Sequence, residues 1–180
     1  MALLSVVALS PAVQAARVAK GTTPGSIGIQ LLEGPSNREQ DPRAHRYIVD
    51  HLAPGTTIRR QVGIVNKTSE RQSIQVYPAA ATVAGGQFVF GAGRTANELS
   101  SWVSLDKGEL SVEPGDEAVV ESTIAVPAAA SAGERYAVIW ASVESAAGPS
   151  ANIGQVHRVG IRVYLDIGAG GEPRSDFTIG

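Results

Sequence analysis

Arg158-Val159-Gly160-Ile161-Arg162-Val163-Tyr164-Leu165-Asp166-Ile167 is the stretch that decides the fold class. Val159, Ile161, Val163, Leu165 and Ile167 alternate without a slip against Gly160, Arg162, Tyr164 and Asp166. A period of two sends successive side chains to opposite faces of an extended chain. The segment therefore reads as a strand with one apolar face and one polar, aromatic face.

The same period recurs upstream. Ile27, Ile29 and Leu31 alternate with Gly28 and Gln30, and His45–Leu52 is a second candidate strand, closed by Pro54-Gly55. Ile58, Val62 and Ile64 alternate with Arg59 and Gln61, while Arg60 breaks the pattern. Asn66-Lys67-Thr68-Ser69 reads as a turn in which Asn tolerates a left-handed backbone. Ile74 and Val76 face away from Gln75 and Tyr77, and Gly85-Gly86 turns the chain into Gln87–Phe90. Trp102–Leu105 and Glu109–Val112 flank Asp106-Lys107-Gly108, a hairpin-type turn with Gly supplying positive φ. Ala118, Val120, Ile124 and Val126 share a face, and Tyr136–Val143 is apolar on both faces, as a central strand requires.

No 3.6-residue period lasts three turns; Thr95–Ser101 is the best helical stretch, and it is short. Short strands separated by Gly and Pro-Gly turns, without alternating helices, predict an all-β, immunoglobulin-like antiparallel β-sandwich over residues 26–168. That span exceeds the roughly 100 residues of a minimal immunoglobulin domain. Extra strands or a long decorated loop around Phe88–Leu105 account for the surplus.

Composition narrows the function. The 180 residues carry a net charge of −2, with no basic run to track a nucleic-acid backbone. With 43% hydrophobic residues a real core is expected, and the lack of Cys excludes disulfide scaffolds and thiolate metal sites. Residues 1–15 read as a signal peptide: Ala2–Leu9 is apolar, and Val13 and Ala15 precede the cut, although no Lys or Arg leads the run. The run is too short for the roughly 20 residues that cross a bilayer. Residues 16–25 read as a flexible segment. Residues 169–180 read as a linker, with Phe177-Thr178-Ile179 opening a second β domain. The expected location is outside the cell or at the cell wall, with any membrane anchor supplied by a segment beyond this sequence.

Motifs with catalytic associations fail on mechanism. Gly91-Ala92-Gly93-Arg94-Thr95-Ala96 fits the dinucleotide pattern GxGxxA, but no βαβ unit surrounds it to aim a helix at a pyrophosphate. Ser104-Leu105-Asp106-Lys107 fits SxxK, yet on a strand residues three apart face opposite ways. His45 and His51 lie about 20 Å apart along one strand, too far to share a metal, and His157 reaches them only through the fold. Glu117/Glu121 and Glu109/Glu113 are carboxylate pairs of a kind common on solvated strands. Asn66-Lys67-Thr68 matches the N-glycosylation sequon but reads as the turn already described. The expectation is a non-enzymatic protein without metal or cofactor.

One face does suggest binding. Arg158, Arg162 and Tyr164 combine guanidinium donors with an aromatic ring, able to grip a sugar or a partner's carboxylates. Phe88 and Phe90 are the further aromatic candidates. The ordinary reading of the same face is cross-strand ion pairing of its arginines with Glu117 or Glu121.

Taken together, Pro54-Gly55 before Ile58–Val65, Asn66 with Ser69, Ala81-Thr82, Gly86-x-Phe88-x-Phe90, Trp102-Val103, Pro114-Gly115, Ile124-Ala125-Val126-Pro127 and Gly133 ahead of Tyr136–Ser142 carry a likeness. Over Ile27 to Ser145 the chain resembles the peptidoglycan-binding domain of WxL-interacting cell-surface proteins, in the actinobacterial form. The resemblance implies an immunoglobulin-like sandwich outside the cell, contacting cell-wall glycan and joined to a second β domain that engages another surface protein. It carries over no binding residues, because the matched positions are structural ones. The alternative expectation is a protein–protein interaction or adhesion module that recruits a strand at an open sheet edge, as pilus chaperones do.

Overall fold

The computed structural model describes residues 26–34, 42–145 and 155–169. The expected signal peptide, the segment 16–25 and the tail from Gly170 lie outside them. Ten strands and one short helix follow in order: β1 (Ile27–Leu31), β2 (Ile48–Leu52), β3 (Thr57–Asn66), β4 (Gln72–Ala84), β5 (Gln87–Phe90), α1 (Glu98–Trp102), β6 (Val103–Leu105), β7 (Glu109–Val112), β8 (Glu117–Ala125), β9 (Gly133–Ser145) and β10 (Gln155–Ile167).

They form an immunoglobulin-like β-sandwich. One sheet has four strands in the order β1-β3-β8-β6. The other runs β2-β10-β9-β4, with β7 along the first part of β4 and β5 along its last part. All pairs are antiparallel except β2 with β10, which is parallel. Ile161, Val163, Leu165 and Ile167 of β10 turn inward and meet Val62, Ile64, Val120 and Ile124 of the facing sheet in one core. β9 lies between β10 and β4, and its outward residues are covered as well as its inward ones, Val138 fully and Trp140 nearly so.

Three local readings are corrected. The segments flanking Asp106-Lys107-Gly108 do not form a hairpin: β6 pairs with β8 in the four-stranded sheet, and β7 pairs with β4 in the other. The turn is a crossing between sheets, and Gly108 has no positive φ, because no tight hairpin demands one. Asn66 is not left-handed either. It is fully buried, and its amide donates to the carbonyls of Glu70 (2.8 Å) and Val112 (2.9 Å), while its oxygen accepts from the Thr68 N–H and hydroxyl. The sequon is thus a structural Asx-type turn with no free amide. Arg60, the residue out of pattern, keeps the inward parity of Ile58, Val62 and Ile64. Its guanidinium holds Asp50 of β2 across the sandwich with bonds of 2.8 and 2.9 Å. Both side chains are largely buried (15% and 8% exposed), so each charge is tolerated only because the other is there.

Candidate functional site

The outward face of β10, β9 and β4 is built by the alternation that builds the core. Register sets Arg158 opposite Ser142, Gly160 opposite Trp140, Arg162 opposite Val138 and Tyr164 opposite Tyr136. On the far side of β9, Tyr77 lies opposite Trp140 and Ala79 opposite Val138. An outer sheet face is ordinarily wet. Here Val138 and Ala79 are fully covered and Trp140 nearly so.

The cover is a strap. Gly85 (φ 57°) and Gly86 (φ 74°) make the two-residue turn that needs positive φ at both positions, joining the end of β4 to β5. This ribbon does not stay in the plane of the sheet. Phe90 stacks on Trp140 of β9 with ring centroids 4.8 Å apart, and Phe88 reaches Tyr164 of β10 at 5.1 Å and Tyr136 at 6.2 Å. β10 lies two strands from β4, so the ribbon must cross the face to make these contacts. Tyr47, just before β2, closes the group against Tyr164 at 5.9 Å.

Gly160 makes room for this layer. A Cβ there would lie 2.7 Å from Trp140 Cε3, 2.8 Å from Val138 Cγ2 and 2.9 Å from Trp140 Cζ3. The Cε3–Cζ3 edge of the indole therefore lies against bare backbone.

Arginines finish the surface. The Arg158 guanidinium sits 4.4 Å from the Trp140 ring and that of Arg94 4.0 Å from Tyr77. Arg162 lies 5.0 Å from Phe88, 5.4 Å from Tyr47 and 5.9 Å from Phe90, and donates to the Tyr164 hydroxyl at 3.3 Å. That bond holds the Arg162 pKa above the usual guanidinium value, burial opposing it. At the end of the face nearest β2, Tyr136 donates to the Glu134 carboxylate. Burial first and then that carboxylate push its phenol up to about 12. His51 Nδ1 lies 2.7 Å from Asp166 at the same end.

All five residues singled out from sequence, Arg158, Arg162, Tyr164, Phe88 and Phe90, thus fall on one surface. Expected pairing with Glu117 or Glu121 does not occur. Both carboxylates belong to β8 in the other sheet, where Glu117 accepts from Gln30 and Glu121 meets Arg59. Sequence reading missed Trp140, Tyr136, Tyr47 and Arg94. The available signal was Gly160 inside an unbroken alternation, a small residue where a neighbouring ring must lie.

Beside the strap, Ala80, Ala81, Thr82, Val89, Phe90, Gly91 and Asn97 line a shallow cleft of about 380 Å³. β5 is the sheet edge there. Gly91 donates to Ala80 O, so residues of its parity face β4 and the amides of Phe88 and Phe90 point to the open side. Gln87-Phe88-Val89-Phe90 contains no charge and no Pro, and Val83, Val89 and Phe90 are 39–43% exposed.

The motifs with catalytic associations are not brought together among the described residues. Glu109 accepts from Ser73 and Glu113 pairs with Arg71, so these carboxylates are tied up in surface pairs. The GxGxxA segment lies in the loop between β5 and the five-residue α1, and Lys107 donates to Val119 O rather than approaching Ser104. Among the described residues no group of three His, Cys, Asp or Glu could hold a metal, and no helix is long and apolar enough to cross a membrane.

No family model and no curated protein matches the sequence. Solved structures do resemble the fold. The SafB chaperone complex with SafA pilin from Salmonella enterica matches with a TM-score of 0.48 and 8% identity, over 82% of this chain and 57% of that one. The Escherichia coli chaperone DraB gives 0.45 and 7%, over 79% and 56%. The PapD-like domain 7 of human CEP192 gives 0.43 and 11%, over 92% and 97%. The chain spans little more than half the length of the chaperone chains it matches. At these identities and TM-scores the likeness assigns no relative, and the immunoglobulin-like β-sandwich rests on the strand order and the shared core themselves.

Proposed function

We propose that the protein is a non-enzymatic interaction module of the cell exterior that binds a partner protein by adding the partner's strand to the open edge of β5. The observation that carries this reading is the edge itself. It offers the outward amides of Phe88 and Phe90 beside exposed Val83, Val89 and Phe90, without the Lys, Pro or bulge that usually blocks such pairing. Main-chain bonds would supply affinity, and the apolar side chains would select alternate residues of the incoming strand. A photo-crosslinking residue at position 89 tests it in extracts of the cell surface, with position 119 on the other sheet as control; Val119 is similarly exposed at 40%. Protein adducts confined to position 89 are expected. Equal adducts at both positions would refute the reading.

A second reading, binding of cell-wall peptidoglycan, is favoured by one observation: the gathering of Arg158, Arg162, Tyr164, Phe88 and Phe90 on a single partly exposed face. Stacking rings and fork-shaped donors suit a glycan that carries carboxylates. Co-sedimentation of the protein with isolated sacculi tests it. Saturable retention that survives moderate salt is expected, and failure to pellet removes this reading.

A further inference from the structure

Seven of the described arginines, those from Arg59 onward, divide into two groups. Arg59 pairs with Glu121, Arg60 with Asp50, Arg71 with Glu113 and Arg135 with Glu98. Arg94, Arg158 and Arg162 stack on aromatic rings instead, Arg94 also donating to the Gln75 side chain and Arg162 to the Tyr164 hydroxyl, and among the described residues no carboxylate pairs with them. A planar guanidinium over a ring has five N–H donors, so one such neutral bond leaves others for an anion. All three lie on the strapped face, and Arg162 lies directly against the two side chains of β5, Phe88 and Phe90. Of the face's carboxylates, Glu134 and Asp166 stand together at the end near β2 and are occupied by Tyr136 and His51, while Glu144 lies at the far end opposite Val156.

From this we infer that the strand accepted at β5 is an acidic one, with carboxylates at alternate positions that seat on Arg162, Arg158 and Arg94. The inference rests on the edge-pairing reading above and supplies the chemistry of its partner. Arg158 and Arg162 are four residues apart on one face of β10, about 13 Å, within the reach of two acidic side chains of a single bound segment. Fork-to-carboxylate pairing on a half-buried aromatic bed would add selectivity to the sequence-blind main-chain bonds.

The test uses the whole chain and two capped nonapeptides, one alternating Glu with Val and one alternating Gln with Val, measured by calorimetry at low and at moderate salt. The Glu peptide is expected to bind at least tenfold more tightly at low salt, with the advantage shrinking as salt rises. The double variant Arg158→Gln/Arg162→Gln should bind the Glu peptide no more tightly than it binds the Gln peptide. Arg158 is exposed, and circular dichroism of the variant verifies its fold. Equal binding of both peptides overturns the acidic inference and leaves edge pairing standing. Binding of neither overturns edge pairing itself. Binding of polygalacturonate, with neither peptide bound, assigns the face to an acidic glycan and overturns both.

Discussion

Replacing Gly160 with Ala puts one methyl group beneath the Trp140 indole. The three nearest atoms would then be 2.7–2.9 Å from the new Cβ. Carbon contacts settle at about 3.5–4.0 Å, so the ring and Val138 must retreat by roughly 1 Å. Val138 is fully buried and Trp140 is pinned by Phe90 above, so the retreat lifts the strap. Overpacking of this kind costs about 1–3 kcal/mol. Loss of glycine's freedom in the unfolded chain returns about 0.4–1 kcal/mol, which leaves a net destabilisation of about 0.5–2 kcal/mol. Urea unfolding followed by far-ultraviolet circular dichroism reads this as a lower midpoint with an unchanged slope. In a Trp140→Leu background the flat ring is gone, and Gly160→Ala should become neutral or stabilising. The two changes would then be non-additive by about 1 kcal/mol or more. A Gly160→Ala variant as stable as the parent in both backgrounds would refute the account of the glycine as clearance for the indole.

Asn66→Ala strips two buried carbonyls, those of Glu70 and Val112, of their donor. The expected loss is about 2–4 kcal/mol in urea unfolding, more than deletion of an exposed turn residue would give. Asp50→Ala strands the buried Arg60 charge and should cost about 3–5 kcal/mol, whereas Asp50→Leu with Arg60→Met should recover most of it in the same assay. Tyr136 binds its proton more tightly when folded, with a phenol pushed up to about 12 against 10 for a free tyrosine. Its stabilisation is complete below pH 10 and is lost as pH rises from 10 to 12. Absorbance titration at alkaline pH should show a late step that Tyr136→Phe abolishes; the same late step in that variant would contradict it.

Legibility followed the range of the physics. The alternation in β10 and the apolar core of β9 are local properties of a strand. They fixed which residues turn inward and that Arg158, Arg162 and Tyr164 share the other face. Gly85-Gly86 announced its hairpin, because only glycine accepts two consecutive positive φ values cheaply. The sequence could not say where that hairpin lies. Phe88 and Phe90 reach β9 and β10 across some fifty to seventy-five residues of chain, and burial of Trp140 on an outward face exists only once the strap is closed.

Charge pairing shows the same division. Periodicity, with the Gly and Pro-Gly turns between the strands, determined that this chain is an all-β sandwich, since a period of two is imposed residue by residue by the extended backbone. Which carboxylate each arginine meets was decided by tertiary structure. Arg60 looked like a fault in its strand until Asp50 arrived from the facing sheet. Arg158 and Arg162 looked like partners for Glu117 and Glu121 until the two sheets separated them. An ion pair needs contact within about 4 Å, and that distance is set by strand order and sheet packing, which no local pattern encodes.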